Sequence, residues 1–151
     1  MTLIRMTLIA AVAAWGYAGA GLAADMMSKD QYKVEKQRIE ADGKAGREKC
    51  KGMSGNAKDV CTAEAKGKEK VAKAELAAKQ KDTPKARYNV AVAKSDLEYN
   101  VAKEKCDDAK GKDKKACEKD AKDAHNQAKK HAKADRDSAE GKKERTAKSS
   151  K

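Results

Sequence analysis

Apolar positions are sparse along this chain, and where they occur they recur at helical spacing. Tyr88, Val92, Ser95, Tyr99, Ala102, Cys106 and Ala109 follow one another in three- and four-residue steps, which places them on one side of an α-helix. Tyr32, Lys36, Ile39, Gly43, Gly46, Cys50 and Met53 repeat those steps more weakly. Gly43 and Gly46 each cost such a helix about 1 kcal/mol relative to Ala. Farther on, Cys117, Ala121, Ala124 and Ala128 make a stripe of small residues that would let two antiparallel helices approach closely. The pattern predicts an all-α fold with helices near 28–52, 57–81, 83–109 and 113–138. Asp82-Thr83-Pro84 is a helix start with Pro in the first turn, Asn56 followed by Asp59 is read as the cap of the second helix, and Asp113 as that of the fourth.

The two weak stripes are copies of each other. Sliding the chain by 56 residues superimposes Tyr32 on Tyr88, Val34 on Val90, Cys50 on Cys106, Gly55 on Gly111 and Cys61 on Cys117. Over residues 32–78 there are 13 identities in 47 positions, and the rare Tyr, Val, Gly and Cys matches carry the inference. The chain therefore divides into residues 1–24, a first helical-hairpin unit at 25–82, a second at 83–135, and residues 136–151. The last segment, RDSAEGKKERTAKSSK, has no apolar periodicity and is expected to be a disordered basic tail.

The repeat constrains the cysteines Cys50, Cys61, Cys106 and Cys117. Eleven residues of continuous helix span about 16.5 Å, whereas a disulfide needs Cα atoms roughly 4.4–6.8 Å apart. If Cys50 pairs with Cys61, the chain must turn between them at GMSG, and likewise at AKGKD between Cys106 and Cys117. Two tandem αα-hairpins, each stapled at its turn, would result. A continuous helix would instead show both cysteines along one stripe, so cross-unit and intermolecular pairings remain as alternatives. The local pairing is preferred because the pair is what the repeat preserves. Closing a loop of this size stabilises a hairpin by about 3 kcal/mol.

Composition explains why a staple would be needed. Arg5 is the only charge before Asp25, and the run between them is apolar and ends in small residues at Gly21-Leu22-Ala23 and Ala24. That is the layout of a secretory signal peptide. Gly16, Gly19 and Gly21 favour cleavage over retention as an anchor helix, and the mature form is expected not to span the membrane. Without residues 1–24 the chain keeps nine large aliphatics in 127 residues, and 35 Lys+Arg against 24 Asp+Glu. Such a composition usually cannot build a core and stays disordered. Against this, the replacing residues are Ala, Lys, Glu and Arg, the best helix formers. Glu-to-Lys pairs also recur at i,i+4, as at Glu40–Lys44, Glu64–Lys68, Glu69–Lys73, Glu75–Lys79 and Glu118–Lys122.

The chemistry legible in the sequence is meagre. Zinc sites favour two to four residues between cysteines, and here each gap holds ten. His125 and His131 read as solvated residues of a polar helix, and Asp107-Asp108 as an acidic helix end. No nucleophile–base set and no phosphate-binding loop stand out, so neither catalytic, cofactor nor metal residues are expected. The positive balance suggests polyanions, although acidic residues are interleaved almost throughout. The best candidates for contact with nucleic acid, anionic lipid or polysaccharide are Lys129, Lys130, Lys133, Arg136, Lys142, Lys143, Arg145 and Lys148.

The runs AEAKGKEKVAKAELAAKQK (63–81) and AKDAHNQAKKHAKADRDSAE (121–140) resemble the Ala/Lys/Glu-rich helical region of TolA-like cell-envelope proteins. The resemblance is one of composition over roughly residues 28–145. It implies a periplasmic helical spacer that works between envelope components. The same runs also look like late-embryogenesis-abundant desiccation proteins. The expected function is accordingly a structural or interaction role in the envelope, in the periplasm or secreted, with envelope proteins or anionic envelope polymers as partners. Unspecific polyanion binding and stress protection are the alternatives.

Overall fold

A computed structural model describes residues 27–149. The expected signal peptide at 1–24 lies outside the described residues. Four helices follow one another: α1 (Lys29–Cys50), α2 (Gly55–Gln80), α3 (Pro84–Cys106) and α4 (Gly111–Ser149). Each packs only on its neighbours in sequence: α1 on α2, α2 on α3, and α3 on α4. The molecule is thus an open row one helix thick. Among the described residues there is no closed bundle core, which suits a chain with so few aliphatics. The turns at 51–54 and 107–110 lie at one end of the row. The α2–α3 connection, the start of α1 and the end of α4 lie at the other.

Local sequence explains the helix ends. Ser28 caps α1 in a reciprocal capping box with Gln31. Thr83 accepts a hydrogen bond from the Ala86 backbone N–H, and Pro84 occupies the first turn of α3, as the sequence indicates. The starts of α2 and α4 differ from expectation. Gly55 and Gly111 open them with φ of 58° and 57°, the left-handed region that costs an L-residue about 1–2 kcal/mol. The glycine that the repeat preserves is therefore the hinge of each turn. Ser54 takes the cap position of α2, and Asn56 lies inside the helix, where its side-chain amide has no hydrogen-bond partner among the described residues. Asp113 likewise falls within the first turn of α4.

The boundary of the tail differs too. α4 continues to Ser149 instead of ending near residue 138. Nothing after Arg136 breaks a helix except Gly141, and local pairs reinforce it. Lys148 Nζ lies 2.9 Å from Glu144, and the Thr146 hydroxyl donates to the Lys143 carbonyl at 2.9 Å. Arg136 and Ala139 also border the groove beside Pro84 and Tyr88 of α3, so packing holds the helix past the expected end. Residues 142–149 are exposed.

Burial is confined to the seams. Ile39, Cys50, Leu76, Cys106 and Ala132 are the buried hydrophobic residues, with Gly43, Gly67 and Ser95 beside them. The predicted α3 stripe is real, since none of its seven members is exposed. In α1 the stripe holds at Ile39, Gly43 and Cys50, while Lys36 and Met53 turn outward. In α4, Ala124 is exposed and His125 takes the inward place. The small residues Gly43 and Gly67 matter through close approach. A Cβ on Gly67 would come within 2.9 Å of Leu97 Cβ, and one on Gly43 within 2.7 Å of Glu69 Cδ.

Candidate functional site

The cysteines close the hairpins locally. Cys50 is bonded to Cys61 and Cys106 to Cys117, with Cα separations of 5.7 Å and 5.6 Å, and none of the four is free. In both units the first cysteine is the last residue of one helix and the second lies in the second turn of the next. The intervening turn therefore brings the two ends together at the distance a disulfide requires. Cys50 and Cys106 are each 1% exposed, so one sulfur of each clasp is shielded from solvent. In the second unit Lys114 adds an ion pair to Asp107 at 2.7 Å across the turn, which holds the Asp107 carboxyl below the usual carboxylate range. These disulfides place the folded chain in an oxidising environment outside the cytoplasm.

Polar side chains fill the middle of each hairpin seam, and the repeat relates them. Glu69 of α2 folds over Gly43 and is 15% exposed at its side chain, pairing with Arg47 of α1 and with Lys73 at 2.7 Å. Lys73 in turn reaches Glu40 of α1 at 3.4 Å. Fifty-six residues later His125 stands where Glu69 stands, Asp96 replaces Glu40 and Tyr99 replaces Gly43. His125 stacks on Tyr99 with ring centroids 4.8 Å apart, and its Nε2 lies 2.7 Å from Asp96 Oδ1. The Ser95 hydroxyl donates to the His125 backbone carbonyl at 3.4 Å. It therefore does not engage the imidazole in the manner of a nucleophile before its base. Both clusters do the same mechanical work, a polar clamp between helices whose seams hold few aliphatics.

Sequence reading treats His125 as a solvated residue, and the structure corrects that. Its partners lie 26 to 30 positions away, and only the repeat offset, which matches His125 to Glu69 and Asp96 to Glu40, could have flagged it. Two of the expected intrahelical pairs form, Glu64–Lys68 at 3.1 Å and Glu69–Lys73. Glu40 and Glu75 instead reach across seams, Glu75 to Lys94 at 2.8 Å. Glu118 lies 3.9 Å from Lys114 rather than pairing with Lys122.

Lys73 and Arg47 hold the Glu69 carboxyl below its ordinary 4.5, chiefly through the Lys73 hydrogen bond. A carboxyl with a depressed folded-state pKa contributes stability above its unfolded value and loses it as pH falls through the folded one. The α1–α2 seam should thus weaken as pH drops below about 4.5. A Glu69→Gln variant should start less stable at pH 7 and show a shallower loss on acidification, read by thermal unfolding from pH 7 to pH 3. Identical slopes for the two proteins would show that Glu69 is not coupled to folding.

The candidate polyanion contacts separate into two sets. Lys130 and Lys133 are exposed on α4 and Lys129 is half-buried; Lys142, Lys143, Arg145 and Lys148 lie on its exposed last turns. Arg136 does not belong with them. Its guanidinium sits 4.9 Å above the Tyr88 ring and 2.6 Å from Asp137, so it helps close the α3–α4 seam. Among the described residues no three His, Cys, Asp or Glu side chains are grouped to hold a metal ion, and no helix is long and apolar enough to cross a membrane. No protein-family model, curated protein or solved structure matches this chain.

Proposed function

We propose that this is a non-enzymatic, exported protein of the cell envelope with a structural or interaction role, a stapled row of helices whose two broad sides face outward. The observation that carries this reading is the pair of local clasps. Each replaces hydrophobic burial with a covalent closure that persists only in an oxidising compartment. The polar groups of Glu69, Ser95 and His125 support it, because each bonds a group on a neighbouring helix. The apolar leader and the compositional likeness to TolA-like proteins favour the periplasm.

Mass spectrometry of fractionated bacterial cells expressing the full chain tests this. The expected product is in the periplasmic or secreted fraction, begins near Ala24 or Asp25, and carries no alkylatable thiol. A cytoplasmic product that retains residue 1 and four free thiols would overturn the proposal.

A further inference from the structure

The helix row has two electrically different sides, and this can be traced groove by groove. On one side, Lys66 and Lys70 of α2 border a groove with Asp96 and Asn100 of α3, and Asp59 and Glu104 complete its charged lining toward the turns. Asp96, Asn100 and Lys103 lie at i, i+4 and i+7, so they share a face of α3. Lys103 and Tyr99 in turn border the groove formed with Lys115, Lys119 and Lys122 of α4, where Glu118 is the one acid against four lysines. The α4 face continues at the same steps through Asn126 to Lys129 and Lys133. On α2 the stripe continues to Lys73, whose bond to Glu40 brings α1 onto this side together with Lys33, Lys36 and Lys44.

The other side is charge-balanced. Its grooves are bordered by Arg38, Asp42 and Lys68 between α1 and α2, and by Glu75, Lys79, Asp82 and Arg87 between α2 and α3. Arg87 also borders the groove with Asp135 and Arg136 of α4. Charges here are paired: Arg38 with Asp42 at 3.1 Å, Lys94 with Glu75 at 2.8 Å, and Arg87 with Asp82 at 2.6 Å. On the basic side Lys119 pairs with Asp123 at 2.6 Å, but Lys66, Lys70, Lys103, Lys115, Lys122 and Lys133 are exposed and make no ion pair among the described residues.

We infer that this lysine-rich broad side docks peripherally on an anionic lipid surface, a reading that rests on the proposed envelope role and names its partner. Extent is the first argument. The lysines form rows on adjacent helices, roughly 8–10 Å apart, and the α4 row from Lys115 to Lys133 runs about 27 Å at 1.5 Å per residue. Charge spread across one side of a one-layer row matches a sheet of headgroups. A nucleic-acid reader concentrates its charge along a groove-filling element or interleaves it with stacking rings. Here Tyr99, the ring on this side, is already covered by His125. Chemistry is the second argument. Lysine is a point charge that suits dispersed, unspecific phosphate contact. The exposed apolar residues Val34 and Met53 lie off the lysine rows, so the attachment is electrostatic and not insertional.

The test uses the oxidised chain from Asp25 onward, which contains all four helices, sedimented with vesicles of phosphatidylcholine alone or with about one third phosphatidylglycerol. Binding is expected to the anionic vesicles only, and to weaken steeply as salt rises. Two triple variants carry the same net charge: Lys70→Gln/Lys115→Gln/Lys122→Gln on the basic side and Lys68→Gln/Lys79→Gln/Lys94→Gln on the balanced side. With circular dichroism confirming that both fold, the first should lose about a hundredfold in partitioning, from roughly 1 kcal/mol per surface lysine, and the second less than about fivefold. Equal losses, binding to neutral vesicles, or no binding at all would overturn the proposal. Tighter binding to duplex DNA than to anionic vesicles at equal salt would overturn it in favour of nucleic acid. These outcomes are independent of where the cell sends the protein, so export could hold while lipid docking fails.

Discussion

Reducing both disulfides should lower the unfolding free energy by about 3 kcal/mol per clasp and largely abolish helical circular dichroism at 37 °C. Each clasp closes a loop of the same length, with cysteines eleven positions apart, so the loop-entropy contributions should be nearly equal. Small domains keep only about 5–15 kcal/mol of net stability, and this one has five buried hydrophobic residues among those described, two of them the cysteines themselves. Helices in a row can recover little on their own, because most helical stability in proteins comes from packing of one face against other elements rather than from propensity. The double variants Cys50→Ser/Cys61→Ser and Cys106→Ser/Cys117→Ser separate the two contributions. Each should fall short of the parent by a similar amount in urea unfolding, and the quadruple variant should behave like the reduced protein. Reduction that leaves the unfolding midpoint unchanged would show that the seams suffice without the clasps.

Leu76→Ala should be the most damaging single truncation outside the clasps, costing about 2–5 kcal/mol. Leu76 lies in α2, an inner helix of the row, and is 3% exposed. It is the largest aliphatic buried on either inner helix, and a row one helix thick has no second layer that could close over the cavity. Its counterpart in the second unit is Ala132, already small and buried at 6%, so the first unit depends on this contact more than the second does. Urea unfolding followed by circular dichroism reads the effect. A loss below about 1 kcal/mol would mean that the α2 seam is not packed as described.

The sequence carried the architecture where rare residues fall at helical steps. Tyr88, Tyr99 and Cys106 mark a face because almost nothing else on α3 could, and the repeated Gly-Cys register set the turn. Its silence elsewhere has physical causes. Asn56 has the side chain of a good cap, yet Gly55 can adopt positive φ and so start α2 two residues earlier. The segment after Arg136 looks loose in the sequence for want of apolar periodicity. Its helix is held by Arg136 over Tyr88 and by local pairs, neither of which leaves an apolar signature. His125 escaped notice because its contacts with Asp96 and Tyr99 exist only once α3 and α4 lie side by side. Alternating charges hid the basic side in the same way. Glu and Lys two positions apart look balanced in a line, but on a helix they turn to opposite sides.

A non-reducing tryptic map of the native protein is the most direct test of the stapled row. Cleavage after Lys51 and Lys58, and after Lys110 and Lys112, separates the two members of each pair. The fold requires one linked species joining the Cys50 and Cys61 peptides and another joining the Cys106 and Cys117 peptides, with no alkylated cysteine. A species that links Cys50 or Cys61 to Cys106 or Cys117, or to a second copy of the chain, would contradict it.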